Sequence, residues 1–178
     1  DEGGKWLFPS QVTKAADGSV VTVEGGRPVT VGRSEKMSKS RKNVVDPVHI
    51  IDSYGADTAR LFMLSDSPPE RDLDWTDAGI DGAWRYLNRL HRLIEDGLEA
   101  LAPAGTARPA TLEGKAAAAE KAMHKTIAGV SDDLDKFHFN KAVARIREFS
   151  NELEDLDGQD ESSRWMKRRG LEVLVELI

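Results

Sequence analysis

TDAGIDGAWRYLNRLHRLIEDGLEAL, residues 76–101, is the stretch that decides the fold of this chain. Its apolar side chains recur at steps of three and four residues, which is the period of an amphipathic α-helix. The pattern therefore predicts one long helix from about Thr76 to Leu101. Its apolar stripe, in which Trp84 is assigned to the core, comprises Ile80, Ala83, Trp84, Leu87, Leu90 or His91, Ile94, Leu98 and Leu101.

The same spacing recurs on both sides of this stretch. Three later segments predict helices around 112–130, around 142–156 and from about Ser163 to the last residue, after a Pro- and Gly-containing linker over 102–111. Upstream, Asp46-Pro47 is a helix start signal and Gly55 a stop, and Asp57 could cap the next helix. Four amphipathic helices with short links favour a helical bundle. The predicted fold class is mainly α, with the bundle preceded by a short β-rich segment and a mobile loop.

Residues 5–32 have the pattern of short strands. Val20–Val23 and Val29–Val31 are runs rich in β-branched residues, and the turns are marked by Gly18 and by Gly25-Gly26. Two short strands are marginal on their own in water. This segment is therefore expected to need other parts of a larger protein.

Composition excludes several classes of protein. The chain has 178 residues with 25 basic and 31 acidic side chains, a formal net charge of −6, which argues against a general polyanion binder. It has no cysteine, so a disulfide scaffold and a Cys-ligated zinc site are excluded. The four histidines show no metal-ligand spacing, and no metal site is expected. No apolar run approaches the roughly 18 residues that a membrane span needs, so we expect no membrane association and a cytoplasmic location.

Basic residues are concentrated between Arg33 and Lys42. That run of ten residues has five bases and one acid, Glu35, and places Lys36 and Lys39 three residues apart beside Ser38 and Ser40. Two ammonium groups and two hydroxyl donors at this spacing could surround one polyphosphate, since lysine is a mobile point charge on a long stem. The alternative is a solvated basic loop, or a signal read by another protein.

Lys36-Met37-Ser38-Lys39-Ser40 resembles the second signature (KMSKS) of class I aminoacyl-tRNA synthetases. The residues after it, Asn43–Pro47 and Tyr54–Arg60, are similar to those of the leucine, isoleucine and valine subgroup. Pro68–Trp75 and Gly79–Leu90 resemble bacterial leucyl-tRNA synthetases in particular. Residues 5–32 resemble the end of the leucine-specific insertion in that family, and the last 77 residues match only as an anticodon-binding-type helical bundle.

The resemblance implies a reaction and a division of labour. Leucine would be activated with ATP to leucyl-adenylate and then transferred to tRNA(Leu), with Mg²⁺ expected on the phosphates in the full enzyme. Lys36 and Lys39 would stabilise the phosphates as catalytic groups, with Lys39 the first choice for ATP contact. Ser38 and Ser40 would donate hydrogen bonds, and Met37 would anchor the loop by packing. The closing loop would be mobile, with Gly32 and Ser34 suited to a hinge.

The family's first signature, of the His-Ile-Gly-His type, does not occur in this sequence. The resemblance therefore implies a fragment that is inactive alone, from an enzyme expected to be a monomer. The fragment divides into an end of the insertion (1–33), the lysine loop with connecting helices (34–75) and the bundle (76–178). The apolar stretch Leu171–Ile178 ends without a stop signal, which also suggests truncation. Two alternatives stay open: an isoleucyl- or valyl-tRNA synthetase fragment, and a free-standing helical tRNA-binding module.

Two basic stripes are candidate tRNA contacts. Arg85, Arg89 and Arg92 fall on one side of the long helix, and Lys141 with Arg145 form a shorter stripe. Such side chains can bind phosphates and so fix position without reading sequence. The alternative is a solvated helix face held by local pairs such as Asp81 with Arg85.

Overall fold

The computed structural model describes residues 3–178, so the first two residues of the predicted domain 1–33 lie outside it. The chain forms two compact units, one ending at Gly55 and the other spanning Ala56–Ile178. This division separates two parts of the chain that are each compact. The three-part division at 33/34 and 75/76 follows the resemblance and stays a prediction.

The first unit contains a small antiparallel hairpin. Strands β1 (Val12–Lys14) and β2 (Val20–Thr22) pair with Val12 opposite Thr22. The predicted strand Val29–Val31 is wrong: after the turn at residues 23–25, a single bridge joins Val21 to Pro28, and Val31 is exposed. Proline has no N–H to donate, so it cannot support a longer ladder at this position.

Helix α1 (Pro47–Tyr54) completes the first unit and confirms the predicted start and stop signals. The Asp46 carboxylate accepts a hydrogen bond from the Val48 N–H at 3.0 Å, and Pro47 occupies the first turn. Gly55 ends the helix with a φ of 85°, a conformation that costs glycine little.

The second unit is a bundle of five helices, which confirms the mainly α fold class. They are α2 (Ala56–Ser65), α3 (Asp77–Glu95), α4 (Gly114–Asp135), α5 (Phe139–Glu154) and α6 (Glu161–Leu177). Helices α4, α5 and α6 pack against one another, and α2 packs on α3 and α5. Within residues 3–178 no helix combines the length and apolar composition needed to cross a membrane.

Close packing in the bundle depends on glycine at two crossings. A Cβ at Gly170 of α6 would overlap Leu153 of α5, which is fully buried. A Cβ at Gly79 of α3 would overlap the ring of Phe62 in α2, whose other neighbour is Trp75 at 5.2 Å between ring centroids. The two glycines therefore set how closely these helices approach.

The long helix differs from its prediction in length and in its buried face. Helix α3 ends at Glu95, and a 3-10 turn follows at Leu98–Ala100. Asp96-Gly97 stands between the two, and both residue types are weak helix formers. The buried stripe is centred on Ala83, Tyr86 and Leu90, so Trp84 falls outside it and is 44% exposed. The assignment of Trp84 to the core is therefore wrong.

Two smaller predictions also need correction. Asp57 lies inside the first turn of α2, which begins at Ala56, and its carboxylate pairs with Arg60 at 2.8 Å. The segment 102–111 is a linker without helix or strand, but it is held by α6. The Trp165 indole donates to the Thr106 carbonyl at 3.0 Å, and the Ala102 N–H donates to the Arg164 carbonyl at 3.3 Å.

Candidate functional site

The lysine loop (residues 33–42) is organised by one side chain that follows it. The Asn43 amide oxygen accepts a hydrogen bond from the Ser38 N–H at 2.7 Å. Its amide nitrogen donates to the carbonyls of Glu35 and Lys36, at 3.5 and 3.4 Å. Residues 31–38 have no regular secondary structure of their own, so Asn43 substitutes for the missing backbone hydrogen bonds.

A short helical turn carries the second half of the loop. Lys39–Arg41 form one 3-10 turn, which ends at Lys42 with a φ of 56°. A positive φ is unusual for a residue with a side chain, and it stops the turn from continuing as a helix. Lys39 is therefore presented on the first residue of a defined turn.

The one acid in the loop forms ion pairs with two of its five bases. Glu35 pairs with Arg41 and, at 3.4 Å, with Arg33. The Lys42 ammonium lies 5.1 Å from the centre of the Phe8 ring, within cation–π range. Within residues 3–178, Lys36 and Lys39 have no carboxylate partner, and both are exposed. These two lysines are thus the cations left for a ligand.

Hydroxyl groups complete the anion-binding character of the loop. The Ser38 and Ser40 hydroxyl oxygens lie 2.8 Å apart, so both are on the same side of the turn. Met37, which was expected to anchor the loop by packing, is 44% exposed and therefore only partly covered. Lysine ammonium groups with neighbouring hydroxyl donors are suited to binding phosphate oxygens.

Several residues that shape the loop were not singled out from the sequence. Asn43 entered only as part of a family pattern, and Glu35 only as a charge. The Arg41 guanidinium lies 6.0 Å from the centre of the Trp6 ring, so the aromatic start of the chain also contacts the loop. Asn43 lies five residues after Ser38, and this spacing is not a sequence pattern from which the hydrogen bonds could be predicted.

The three arginines of the α3 stripe have different surroundings. Arg89 donates to the Asn151 amide oxygen and pairs with Glu154 at 2.7 Å, both on α5. Arg85 and Arg92 are exposed, and each donates to a backbone carbonyl of its own helix at 3.4 Å. Arg89 thus links two helices, whereas Arg85 and Arg92 extend into solvent.

The two residues of the shorter stripe, Lys141 and Arg145, also have different surroundings. Arg145 pairs at 2.6 Å with Asp133, whose side chain is 4% exposed, and this hydrogen bond raises the pKa of Arg145. Lys141 is exposed and lies 3.4 Å from the His138 ring nitrogen. Arg145 therefore compensates a buried carboxylate, and Lys141 is the residue of this pair that can reach a ligand.

Tyr86 is a buried residue of the α3–α5 contact. Its hydroxyl donates to the Ser150 hydroxyl at 3.4 Å, and burial raises its pKa. The Arg147 guanidinium lies 4.7 Å from the centre of its ring. No group of three or more His, Cys, Asp or Glu side chains suited to a metal ion occurs in residues 3–178.

The region around the lysine loop matches a known protein family. Residues 26–76 match the family described as class I tRNA synthetases for isoleucine, leucine, methionine and valine. The match contains the loop, Asn43, α1 and α2. Because this family description includes four amino acids, the match does not indicate which one is used.

Two relatives that match nearly the whole chain are leucine–tRNA ligases. The chain is 62% identical over 177 residues to the enzyme of Paramagnetospirillum magneticum, and 53% identical over 177 residues to that of Rhodospirillum rubrum. This chain is homologous to a segment of leucine–tRNA ligases. Each alignment covers 99% of the chain and 20% of the relative, so the chain spans about a fifth of the length of the curated relatives it matches.

A solved leucine–tRNA ligase shares the fold. A leucyl-tRNA synthetase from Agrobacterium radiobacter, solved as a ternary complex with tRNA and LeuAMS, superposes with a TM-score of 0.70 and 30% sequence identity. The superposition covers 80% of this chain and 18% of that one.

Proposed function

We propose that the protein containing this chain is a leucine–tRNA ligase, and that the lysine loop is its phosphate-stabilising element. The observation that carries this proposal is the pair Lys36 and Lys39. They lie inside the segment that matches the class I family. In the described part of the chain they are the loop cations left without a carboxylate or an aromatic ring, since Glu35 and Phe8 account for the others.

The reaction proceeds in two steps. A leucine carboxylate oxygen attacks the α-phosphorus of ATP, the bond from that phosphorus to the bridging oxygen breaks, and pyrophosphate leaves. The terminal hydroxyl of tRNA(Leu) then attacks the leucyl carbonyl and releases AMP. Lys36 and Lys39 neutralise the negative charge that moves onto pyrophosphate in the first step, while the Ser38 and Ser40 hydroxyls donate to phosphate oxygens. Losing one such donor typically costs ~2.7–4 kcal/mol of barrier.

ATP enters this proposal as the substrate, with Mg²⁺ held on its phosphates. When bound, Mg²⁺ would add positive charge at the phosphates. The role of this chain is to supply the ammonium groups.

The bundle is proposed to contact tRNA(Leu). Arg85, Arg92 and Lys141 are the exposed members of the two basic stripes, so they carry this role, while Arg89 and Arg145 support it through the helices they connect. We propose the same three-part division along the chain: the end of the insertion (1–33), the lysine loop with connecting helices (34–75) and the tRNA-contacting bundle (76–178). We place the enzyme in the cytoplasm as a monomer.

Leucine-dependent exchange of pyrophosphate into ATP by the full-length protein tests the proposal. We expect exchange with leucine and much weaker exchange with isoleucine or valine. The isolated 178-residue chain is expected to show none, because it lacks the family's first signature. Full-length protein that exchanges pyrophosphate with isoleucine or valine but not with leucine would overturn the choice of amino acid.

A further inference from the structure

Asn43 lies just after the lysine loop, on the segment that leads directly into helix α1. The residue is half-buried. Three residues later Asp46 caps the helix through the Val48 N–H at 3.0 Å, and Ile50 of the same helix is buried. Residues 31–37, in contrast, are all exposed and have no helix or strand. Asn43 is therefore joined to a regular element and can serve as a fixed point for a segment that has little support of its own.

The hydrogen bonds of Asn43 reach the backbone of the residues placed in the phosphate site. Its Oδ1 accepts from the Ser38 N–H at 2.7 Å, and its Nδ2 donates to the carbonyls of Glu35 and Lys36 at 3.5 and 3.4 Å. Ser38 is also the residue at which the 3-10 turn carrying Lys39 begins. One side chain thus fixes the backbone of the first lysine and the start of the turn that presents the second.

The chemistry of an amide suits this role in an anion-binding loop. An asparagine side chain offers an acceptor and two donor hydrogens but carries no net charge. It therefore orders the backbone without reducing the positive charge that the loop presents. A carboxylate at this position would still accept from the Ser38 N–H, but it would have no N–H for the two carbonyls and would place a negative charge close to the Lys36 backbone.

The contact with the Glu35 carbonyl also affects which charges are available. The Glu35 carboxylate pairs with two arginines of the loop, and in residues 3–178 Lys36 and Lys39 have no carboxylate partner. Glu35 is adjacent to Lys36 in the chain, so a looser backbone would let its carboxylate pair with the lysines instead. By holding this stretch of backbone, Asn43 helps to keep the two ammonium groups available for a ligand.

We propose that Asn43 is a positioning residue for adenylate formation, because it holds the lysine loop in the shape that presents Lys36 and Lys39 to the ATP phosphates. It touches no substrate and acts through the two lysines. This inference rests on the proposed function, which assigns the lysines, and it goes further by naming the residue that orders them. A loop that is ordered before ATP arrives loses less conformational freedom when it engages the phosphates.

The first test is Asn43→Ala in the full-length protein, measured by leucine-dependent pyrophosphate exchange. We expect kcat to fall about tenfold to a hundredfold, as when a catalytic group is misplaced. The KM for leucine should stay unchanged, because the loop acts on the phosphates. The matched control is Asn88→Ala, which removes an exposed asparagine that donates to a carbonyl of its own helix at 2.9 Å. It should change neither constant, and a near-normal kcat in Asn43→Ala overturns the inference.

A double-mutant cycle with Lys39→Ala distinguishes positioning from a general loss of structure. Two residues that act through a shared backbone segment have effects that do not add. In the Lys39→Ala background, Asn43→Ala should therefore slow exchange only a few-fold, since Lys36 is then the remaining cation to be misplaced. An equal fold-loss in both backgrounds overturns the inference, because Asn43 would then act independently of the lysine it is proposed to position.

Digestion with trypsin separates failure of this inference from failure of the proposed function. Trypsin cleaves after lysine and arginine, and residues 33–42 contain five of them. Cleavage there reports local opening of the loop, so it should become several-fold faster in Asn43→Ala and stay unchanged in Asn88→Ala. Unchanged cleavage in Asn43→Ala overturns the inference. An unsubstituted protein without leucine-dependent exchange overturns the proposed function, while the cleavage rates still report whether Asn43 orders the loop.

Discussion

At the scale of single residues, the main feature is how charge is distributed within one short loop. Five bases lie within ten residues, and their surroundings give them different roles. Arg33 and Arg41 share the Glu35 carboxylate, and Lys42 lies against Phe8. A local acid thus reduces repulsion among the bases while it leaves Lys36 and Lys39 available. A net charge count for the loop would miss this distinction.

Lys39→Ala in the full-length protein tests the residue placed first for ATP contact. We expect adenylate formation to slow about a hundredfold or more, from the few kcal/mol that a charged donor typically contributes. The matched control is Arg33→Ala, which removes the same charge from the same loop at a position whose side chain is 87% exposed and paired with Glu35. Single-turnover measurement of pyrophosphate release distinguishes the two, and a near-normal rate for Lys39→Ala would exclude the residue from the mechanism.

Arg145→Ala tests whether this arginine is a structural partner. Removing it leaves the Asp133 carboxylate buried without its 2.6 Å ion pair, and an unpaired buried charge is strongly destabilising. We expect the midpoint of thermal unfolding to fall. The control, Lys141→Ala, removes an exposed cation from the same helix and should leave the midpoint nearly unchanged. Equal effects of the two variants would show that Asp133 does not depend on Arg145.

At the scale of elements, two pairs of helices in the bundle pack closely at glycine residues. Helices α5 and α6 meet where Gly170 faces Leu153, and α2 and α3 meet where Gly79 faces Phe62. Both facing side chains are fully buried, so neither can move aside into solvent. Glycine at these two positions therefore allows the helices to approach this closely.

Gly170→Ala should destabilise the bundle by about 1–3 kcal/mol, the usual range for overpacking a closed core. The added Cβ would overlap one methyl group of Leu153 and lie 3.2 Å from the other. Gly82→Ala is the matched control, because it also lies within a helix but its Cβ would meet nothing within 4 Å. That variant should be neutral or stabilising by up to about 1 kcal/mol, from helix propensity. Urea denaturation of both variants measures the difference, and equal free energies of unfolding would contradict the close-packing account.

The segment 102–111 shows a second effect at the element scale. Its prolines and glycine prevent helix and strand, but two of its carbonyl groups accept hydrogen bonds from α6, that of Thr106 from the Trp165 indole at 3.0 Å. The Ser162 hydroxyl also donates to the Thr111 carbonyl at 3.3 Å, and Arg108 makes a two-point contact with Glu120 of α4. The linker is thus held along two helices of the bundle that follows it.

At the scale of the whole molecule, acidic pH should reduce stability. Among residues 3–178, six carboxyl groups have a pKa below their ordinary values because they accept hydrogen bonds, chiefly from these partners: Asp17 from Ser19, Glu120 from Arg108, Asp132 from Lys136, Asp157 from Lys115, Asp160 from Ser163 and Glu172 from Arg168. A group whose pKa is lower in the folded state contributes stability above its unfolded pKa and loses it as the pH falls.

The ordinary values of these groups are 3.8 for Asp and 4.5 for Glu, so the loss should begin near pH 4.5 and continue below it. All six groups are at the surface, and each contribution is small. Denaturation midpoints at pH 7, 4.5 and 3 measure the trend. A midpoint that rises between pH 4.5 and 3 would show that relief of acidic repulsion outweighs these hydrogen bonds.

Local spacing was enough to determine the helices and the motif. The period of three and four residues predicts all four helices α3 to α6, with ends that differ from the observed ones by up to six residues, because helix formation depends on neighbours along the chain. The Asp46-Pro47 start and the Gly55 end of α1 could also be predicted from the sequence, since capping is a local interaction. The lysine loop could be recognised for the same reason: its chemistry is carried by five consecutive residues, 36–40.

Tertiary structure decided which side chains of a stripe are covered and which charges are free. Trp84 fits the apolar period of α3, yet the partner helices cover the side centred on Ala83, Tyr86 and Leu90. Arg89 and Arg145 look like their neighbours in sequence, but their acidic partners come from other helices. Burial and ion pairing depend on contacts between residues far apart in the chain, and no local pattern specifies them.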